Sequence, residues 1–230
     1  MRAILGILGF IFLATRAVAD ITAAGYADPT TRYDHGILGD AIEWGALVMQ
    51  TDDGRRLRVT LPETRVFEDT EPRLADLDGD GAPEVVVVET DIARGARLAV
   101  YGTEGLIAAT PHIGRTHRWL APIGAADLDG DGRIEIAYVD RPHLARTIRI
   151  WRFDNATLTP VADLPGYTNH RIGDPVISGG IRDCGNGPEM VVADSAWRRV
   201  VSVTWDGTTS HAQIIGPVQD LTSFEKALAC

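Results

Sequence analysis

Lysine is almost missing from this chain of 230 residues: Lys226 is the only one, and every other basic side chain is arginine. Cysteine is nearly as scarce, at two. Two cysteines cannot build a four-thiolate zinc site or the disulfide framework of a small secreted scaffold. Positive charge is short as a whole, with 22 Lys and Arg against 32 Asp and Glu and a net charge of −10. That balance argues against nucleic acid or an anionic membrane surface as partner. No nucleophile elbow, phosphate-binding glycine loop, zinc-protease helix or paired cysteine ligand set occurs, which removes the usual sequence grounds for an enzyme.

The one long apolar run lies at the start. Arg2 precedes the run from Ala3 to Ala14, and Ala17-Val18-Ala19 places small residues before Asp20. Residues 1–19 read as a secretory signal peptide, too short for a membrane span and cleaved before Asp20. This implies a periplasmic or secreted protein with no membrane insertion after cleavage. No secretion signature stands at the C-terminus, which favours the periplasm. Cleavage removes Arg2 and Arg16 but no acid, so the mature chain is more acidic still and suited to holding cations. In an oxidising compartment Cys184 and Cys230 either pair, stapling the tail to the body, or remain free thiols; spacing alone does not decide.

What is present is a repeat. ADLDGDGAPEVVVVE begins at Ala75, ADLDGDGRIEIAYVD begins at Ala126, and IRDCGNGPEMVVAD is a weaker echo. Their glutamates, Glu84, Glu135 and Glu189, recur at offsets of 51 and 54 residues. Each motif runs into β-branched and aromatic segments broken by Gly, Asp-Asn and Asp-Gly turns. PEVVVVET, ARLAVYG and LIAAT follow the first, and IEIAYVD, TIRIWRF and ATLTPVA the second. EMVVAD, RRVVSVTW and SHAQII follow the echo. A divergent upstream copy would draw its strands from HGILGDAIEWGALVMQ, RRLRVTL and TRVFE. Sheets repeated at this period predict an all-β fold, a small β-propeller of about four four-stranded antiparallel blades. The domain is expected over 20–218, with blades near 35–68, 69–111, 117–164 and 170–216. An open arc and a part-ring completed by another chain are the alternatives. The tail, 219–230, reads as helical from Thr222 or Ser223.

Acids on alternate residues of a tight loop point inward, and a glycine at the sixth position permits the turn. Oxygens at positions 1, 3, 5 and 9, with a carbonyl at 7, can surround a Ca²⁺ ion. The ligands would be Asp76, Asp78, Asp80 and Glu84 with the Ala82 carbonyl. In the second loop they would be Asp127, Asp129, Asp131 and Glu135 with the Arg133 carbonyl. Without a cation, such packed carboxylates repel. An EF-hand would need an acid at position 12 and flanking helices; Val87 and Tyr138 stand there, and strands follow.

DLDGDGAPEVVVV and DLDGDGRIEIAYV resemble the FG-GAP or VCBS-type repeat of integrin α-subunit propellers and many exported bacterial proteins. The resemblance implies a propeller with Ca²⁺ held in the hairpin between the first two strands of a blade, here two ions per chain. The third loop departs from the pattern. Ile181 and Gly185 occupy positions 1 and 5, leaving Asp183 and Glu189. The upstream copy lacks the motif, and the chain is shorter than a seven-blade ring.

A second recurrence involves histidine. His35, His117 and His170 each precede the innermost strand of a predicted blade, and Asp69 and Glu71 hold the matching place before the remaining one. In a propeller these connections would lie on the face opposite the acidic hairpins and open near the central axis. Converged there, His35, Glu71, His117 and His170 have the chemistry to hold a transition metal such as Zn²⁺. Arg73, Arg118 and Arg171 would instead help bind an anion. Turn residues inherited by each repeat are the plainer reading. Trp44, Trp119, Trp151, Trp197 and Trp205 suit packing between blades, and Trp119, beside His117 and Arg118, also suits stacking on a ligand. Asn155-Ala156-Thr157 matches a glycosylation sequon and reads as a turn. Two functions follow: a binding or scaffolding module for a protein, peptide or glycan, and an enzyme or transition-metal site using His35, His117 and His170.

Overall fold

A computed structural model of the chain describes residues 19–230. The signal-peptide reading of 1–19 lies outside the described residues, apart from Ala19. Among the described residues, strands follow one another with no helix until the tail. The upstream region holds β1 (Ile21–Thr30), β2 (Glu43–Thr51), β3 (Arg56–Thr60) and β4 (Arg65–Phe67). The first motif is flanked by β5 (Arg73–Ala75) and β6 (Glu84–Asp91), followed by β7 (Gly95–Gly102) and β8 (Gly105–Ala109). The second motif lies between β9 (Leu120–Ala126) and β10 (Glu135–Asp140), followed by β11 (Thr147–Asp154) and β12 (Thr157–Pro165). Around the echo come β13 (Tyr167–Thr168), β14 (Gly180–Asp183), β15 (Pro188–Asp194), β16 (Arg199–Trp205) and β17 (Ser210–Pro217). The helix α1 (Thr222–Leu228) follows them.

All ladders among the described residues are antiparallel, and the three motifs are the hairpins between β5 and β6, β9 and β10, and β14 and β15. The repeated order is β5-β6-β7-β8, β9-β10-β11-β12 and β14-β15-β16-β17. Asn155 and Ala156 both have positive φ, at 48° and 57°, between the paired residues Asp154 and Thr157. That is the backbone of a two-residue hairpin turn whose twist matches its strands, so this segment is a turn, as its composition indicates.

Period-two alternation explains the layering, because neighbouring strand residues point to opposite faces. Val85 and Val87 of β6, with Ala99 and Tyr101 of β7, pack on Ile21, Leu47, Met49 and Phe67. Val86 and Val88, with Leu98 and Val100, pack the other way, on Trp119, Leu120, Ile136 and Tyr138. Ala137 and Val139 then face Met190 and Val192 of the next sheet. Val191 and Ala193 face Phe224 and Ala227 of α1. Each central strand is thus buried on both sides, which is why VVVV and IAYV read as continuous apolar runs. Burying one such valine contributes about 1.5–3 kcal/mol. The five tryptophans all belong to these interlayer clusters.

The upstream unit departs from expectation. It does not form a separate four-stranded blade over 35–68. It begins earlier, with β1 pairing along β2 from Ile21↔Thr51 to Thr30↔Glu43. TRVFE contributes only the short β4, which pairs β2 at Trp44↔Phe67 and β6 from Arg65↔Asp91 to Phe67↔Glu89. β4 therefore welds β1, β2 and β3 into the sheet of β5 to β8, giving eight strands in one sheet. The described residues form three sheets where four were expected. The physical reason is that β4 leaves β5 just three residues long, so the inner edge of β6 is shared between two partners. Among the described residues no strand pair joins the third sheet to the first. Their loops do meet, with the Gly173 N–H donating to the Ile37 carbonyl at 3.1 Å.

The inner position is split again in the third sheet. β14 pairs the start of β15 and β13 its end. The interrupting segments, 68–72 and 169–179, leave their sheets and carry polar side chains to one face. Gly179 makes the return possible: its φ is +83°, and a Cβ there would lie 2.0 Å from the Val191 carbonyl oxygen.

Candidate functional site

The two DLDGDG loops have the same hydrogen-bond plan. Asp76 accepts from the N–H groups of Gly79 (2.9 Å) and Gly81 (3.1 Å); Asp127 does so from Gly130 (2.8 Å) and Gly132 (3.0 Å). Glu84 reaches back to the Leu77 N–H and Glu135 to the Leu128 N–H, each at 2.9 Å. Gly79, Gly81, Gly130 and Gly132 all have positive φ, which glycine adopts without steric cost. The result gathers one carboxylate oxygen each from Asp76, Asp78 and Glu84 within 4.8 Å of one another, and likewise from Asp127, Asp129 and Glu135. Hard oxygen donors in flexible loops fit Ca²⁺. Asp80 and Asp131 are not in these groups; their carboxylates accept from the N–H of Ala82 and of Arg133.

The loops differ in what neutralises them. In the second, Arg152 of β11 reaches Glu135 at 2.6 Å, Asp131 at 3.3 Å and Asp129 as well. Asp131 also pairs with Arg133. In the first, Asp76, Asp78, Asp80 and Glu84 have no ion-pair partner among the described residues. Burial, then the charges of Asp78 and Asp80, hold the Glu84 carboxyl above its ordinary range. The third loop is closed differently again. Asp183 accepts from Gly185 and Gly187, Arg182 pairs with Glu189 at 2.6 Å, and Cys184 is disulfide-bonded to Cys230.

On another part of the surface, a pocket of about 310 Å³ is lined by His35, Ile37, His117, Arg118, Trp119, Arg141, Pro142, His143, Leu144 and Ile172. Four connections meet here: the β1–β2, β8–β9, β10–β11 and β13–β14 segments. The rings of His35 and His117 stack 5.1 Å apart. Tyr33 accepts from the His117 N–H at 2.8 Å and so fixes a residue whose φ is +52°. Trp119, 2% exposed, donates its indole N–H to the Glu68 carbonyl at 2.8 Å and lies edge-on to His170 at 4.9 Å.

The acid that meets His35 is Glu68, not Glu71. Glu68 hydrogen-bonds His35 Nδ1 with one oxygen and accepts from Thr90 at 2.6 Å with the other. Glu71 is exposed and offers only its carbonyl, to Arg73. Arg73 itself pairs with the buried Asp69. Arg171 leaves the pocket and lies over the Trp197 ring at 4.4 Å. Sequence reading also missed His143, whose Nε2 meets His170 Nδ1 at 3.2 Å. Glu68 had a weak signal, as the acid next to Asp69 in FEDTEPR; His143, in the β10–β11 turn, had none.

His170 is fully committed. Its Nε2 lies 2.8 Å from the Asp174 carbonyl, so it carries the proton, and Nδ1 accepts from His143. It has no lone pair free for a metal. Stacked rings likewise cannot point two nitrogens at one ion, and His35 Nδ1 is taken by Glu68. His35, His117 and His170 therefore do not form the chelating set their spacing suggests. Burial, then the Arg118 charge, pushes His35 down to about 4, and burial with His170 does the same to His143. Burial holds Glu68 protonated above its ordinary range. Two arginines, Arg118 and Arg141, bring permanent positive charge to the pocket. Arg141 is matched by Asp140 at 2.8 Å, whereas half-buried Arg118 bonds only the His117 carbonyl and has no carboxylate partner among the described residues.

Stacked antiparallel sheets that repeat one four-strand order, each order begun by a glycine-rich hairpin, define a β-rich repeat protein. The sequence model of the FG-GAP-like repeat matches residues 76–138, which hold both DLDGDG loops, so this part of the chain is similar to an FG-GAP-like repeat. No curated protein and no solved structure matches it. No helix among the described residues is long and apolar enough to cross a membrane.

Proposed function

We propose that this chain is an exported, calcium-stabilised, propeller-like binding module, and that the pocket beside His35, His117 and Trp119 is its recognition site. Export is supported by the leader-like residues 1–19 and by the Cys184–Cys230 disulfide, which suits a periplasmic or extracellular compartment. Calcium binding is supported by the three-carboxylate groups of the DLDGDG loops. The observation that carries the recognition reading is the half-buried, carboxylate-free Arg118 set among apolar walls in a chain of net charge −10. Ile37, Pro142, Leu144 and Ile172 supply those walls. Such a site favours an acidic group beside an apolar one, as a protein or peptide presents, over a neutral glycan.

The test is selection of a displayed peptide library on the Ca²⁺-loaded chain, run beside a glycan array. Enriched peptides should carry an acid next to an apolar residue. Arg118→Ala should weaken them by roughly tenfold, the size of one charge-assisted hydrogen bond. Binding to neutral glycans, unchanged in Arg118→Ala, would refute the peptide reading.

A further inference from the structure

The three motif hairpins occupy corresponding places between strands, but two are closed by different means and one by neither. The third uses covalent chemistry and an ion pair, Cys184–Cys230 and Arg182–Glu189. The second uses Arg152, which stands directly opposite Glu135 in the β10–β11 ladder. From there its guanidinium spans Glu135, Asp129 and Asp131. Only 15% of that side chain is exposed, and it lies 5.9 Å from the centre of the Trp205 ring. The first hairpin has no such device. Val85 pairs with Tyr101, so the residue facing Glu84 is Gly102, which has no side chain to offer.

From this asymmetry we infer that the two DLDGDG loops are not equivalent calcium sites: Asp76, Asp78 and Glu84 form the chain's one high-affinity Ca²⁺ site, and Arg152 takes the cation's place in the loop of Asp127, Asp129 and Glu135. The inference rests on the calcium reading above. Affinity in such loops rises with the uncompensated charge of the ligands. The first loop presents four carboxylates with no counter-charge, whereas the second sets Arg152 and Arg133 against its four. A planar guanidinium also satisfies carboxylate oxygens by directed hydrogen bonds. Ca²⁺ entering the second loop must expel Arg152 from its three partners or sit beside a like charge. Built this way, the second hairpin holds its shape without metal, and the first depends on it.

The experiment uses the disulfide-bonded chain from Asp20 onward, stripped with EDTA, with Ca²⁺ alone as probe. Native mass spectrometry and calorimetry read stoichiometry, and thermal unfolding reads linkage. The wild-type chain should bind one ion, with any second at least about tenfold weaker. Arg152→Gln should gain a second ion of comparable affinity and become more dependent on Ca²⁺ for its melting temperature. Arg152→Lys, which keeps the charge but not the fork, should stay near one. Should Arg152→Gln fail to fold, Asp76→Asn in the wild-type background decides: it should bind no ion tightly. Two equally tight ions in the wild type, or one tight ion persisting in Asp76→Asn, would overturn the inference and leave the calcium reading standing. No Ca²⁺ binding by either the wild type or Arg152→Gln overturns both.

Discussion

Phe224 of α1 meets Trp197 of the β15–β16 turn edge-on, with ring centroids 5.8 Å apart at 73°. The contact shows what the tail does. Val191, Ala193 and Val200 face away from the second sheet, and α1 covers them with Phe224 and Ala227. In a longer repeat array the next sheet would cover that face; here a helix caps it. Phe224→Ala should cost about 3–5 kcal/mol. Hydrogen exchange should speed up in β15 and β16 but not in β6 and β7. Equal loss across all sheets would contradict a local capping role.

The Cys184–Cys230 bond ties the last residue to the third motif hairpin and closes a 46-residue separation. Reduction, or Cys230→Ser, should lower stability by about 2–4 kcal/mol. Amides of α1 should lose protection first. The first motif loop is held by other bonds, so its Ca²⁺ response should survive reduction.

Stability should depend on pH through Glu43. This side chain is 2% exposed, and burial, then the carboxyls of Glu68, Asp40 and Asp69, hold its proton far above the ordinary range. The folded state keeps a proton that the unfolded chain releases. Its contribution is therefore full in acid and is lost as pH rises toward the elevated value. Glu43→Gln should match the wild type near pH 5 and exceed it by about 1–3 kcal/mol near pH 9. Parallel denaturation midpoints across that range would refute this. His35 and His143, both lowered to about 4, act on the other limb: their contribution is lost as pH falls from the ordinary histidine range toward 4.

Gly179→Ala should separate β14 from β15. A methyl group there meets the Val191 carbonyl oxygen at 2.0 Å, and the backbone is left-handed. A loss of roughly 2 kcal/mol or more is expected, with faster exchange at Gly180–Asp183. Gly207→Ala also has positive φ, but it meets only the Asp129 side chain, at 3.1 Å or more, and should cost less.

Much of this was legible beforehand because it is local. Asp-Gly spacing specifies the two loops, and apolar runs bounded by turns specify β6, β10 and β15. The meeting of His35 and His117 was legible through their repeated place before an inner strand. Other features carried no such mark. β1 reads as an unremarkable ITAAGYADPT, and it is a strand because β2 offers it a full ladder. The sequence pointed to Asp69 and Glu71, and only the path of residues 68–72 turns Glu68 toward His35 and Glu71 to solvent.

The sequence by itself determined the strand pattern, the acidic hairpins and the repeat, because each depends on residues within a few positions of one another. Tertiary structure decided how the sheets join and which charges meet. β4 fused the upstream strands to the next sheet by pairing on both of its edges. Two loops that share the same acids came to differ because strand register sets Arg152 against one and a glycine against the other. That distinction lies in the partner strand, outside the motif.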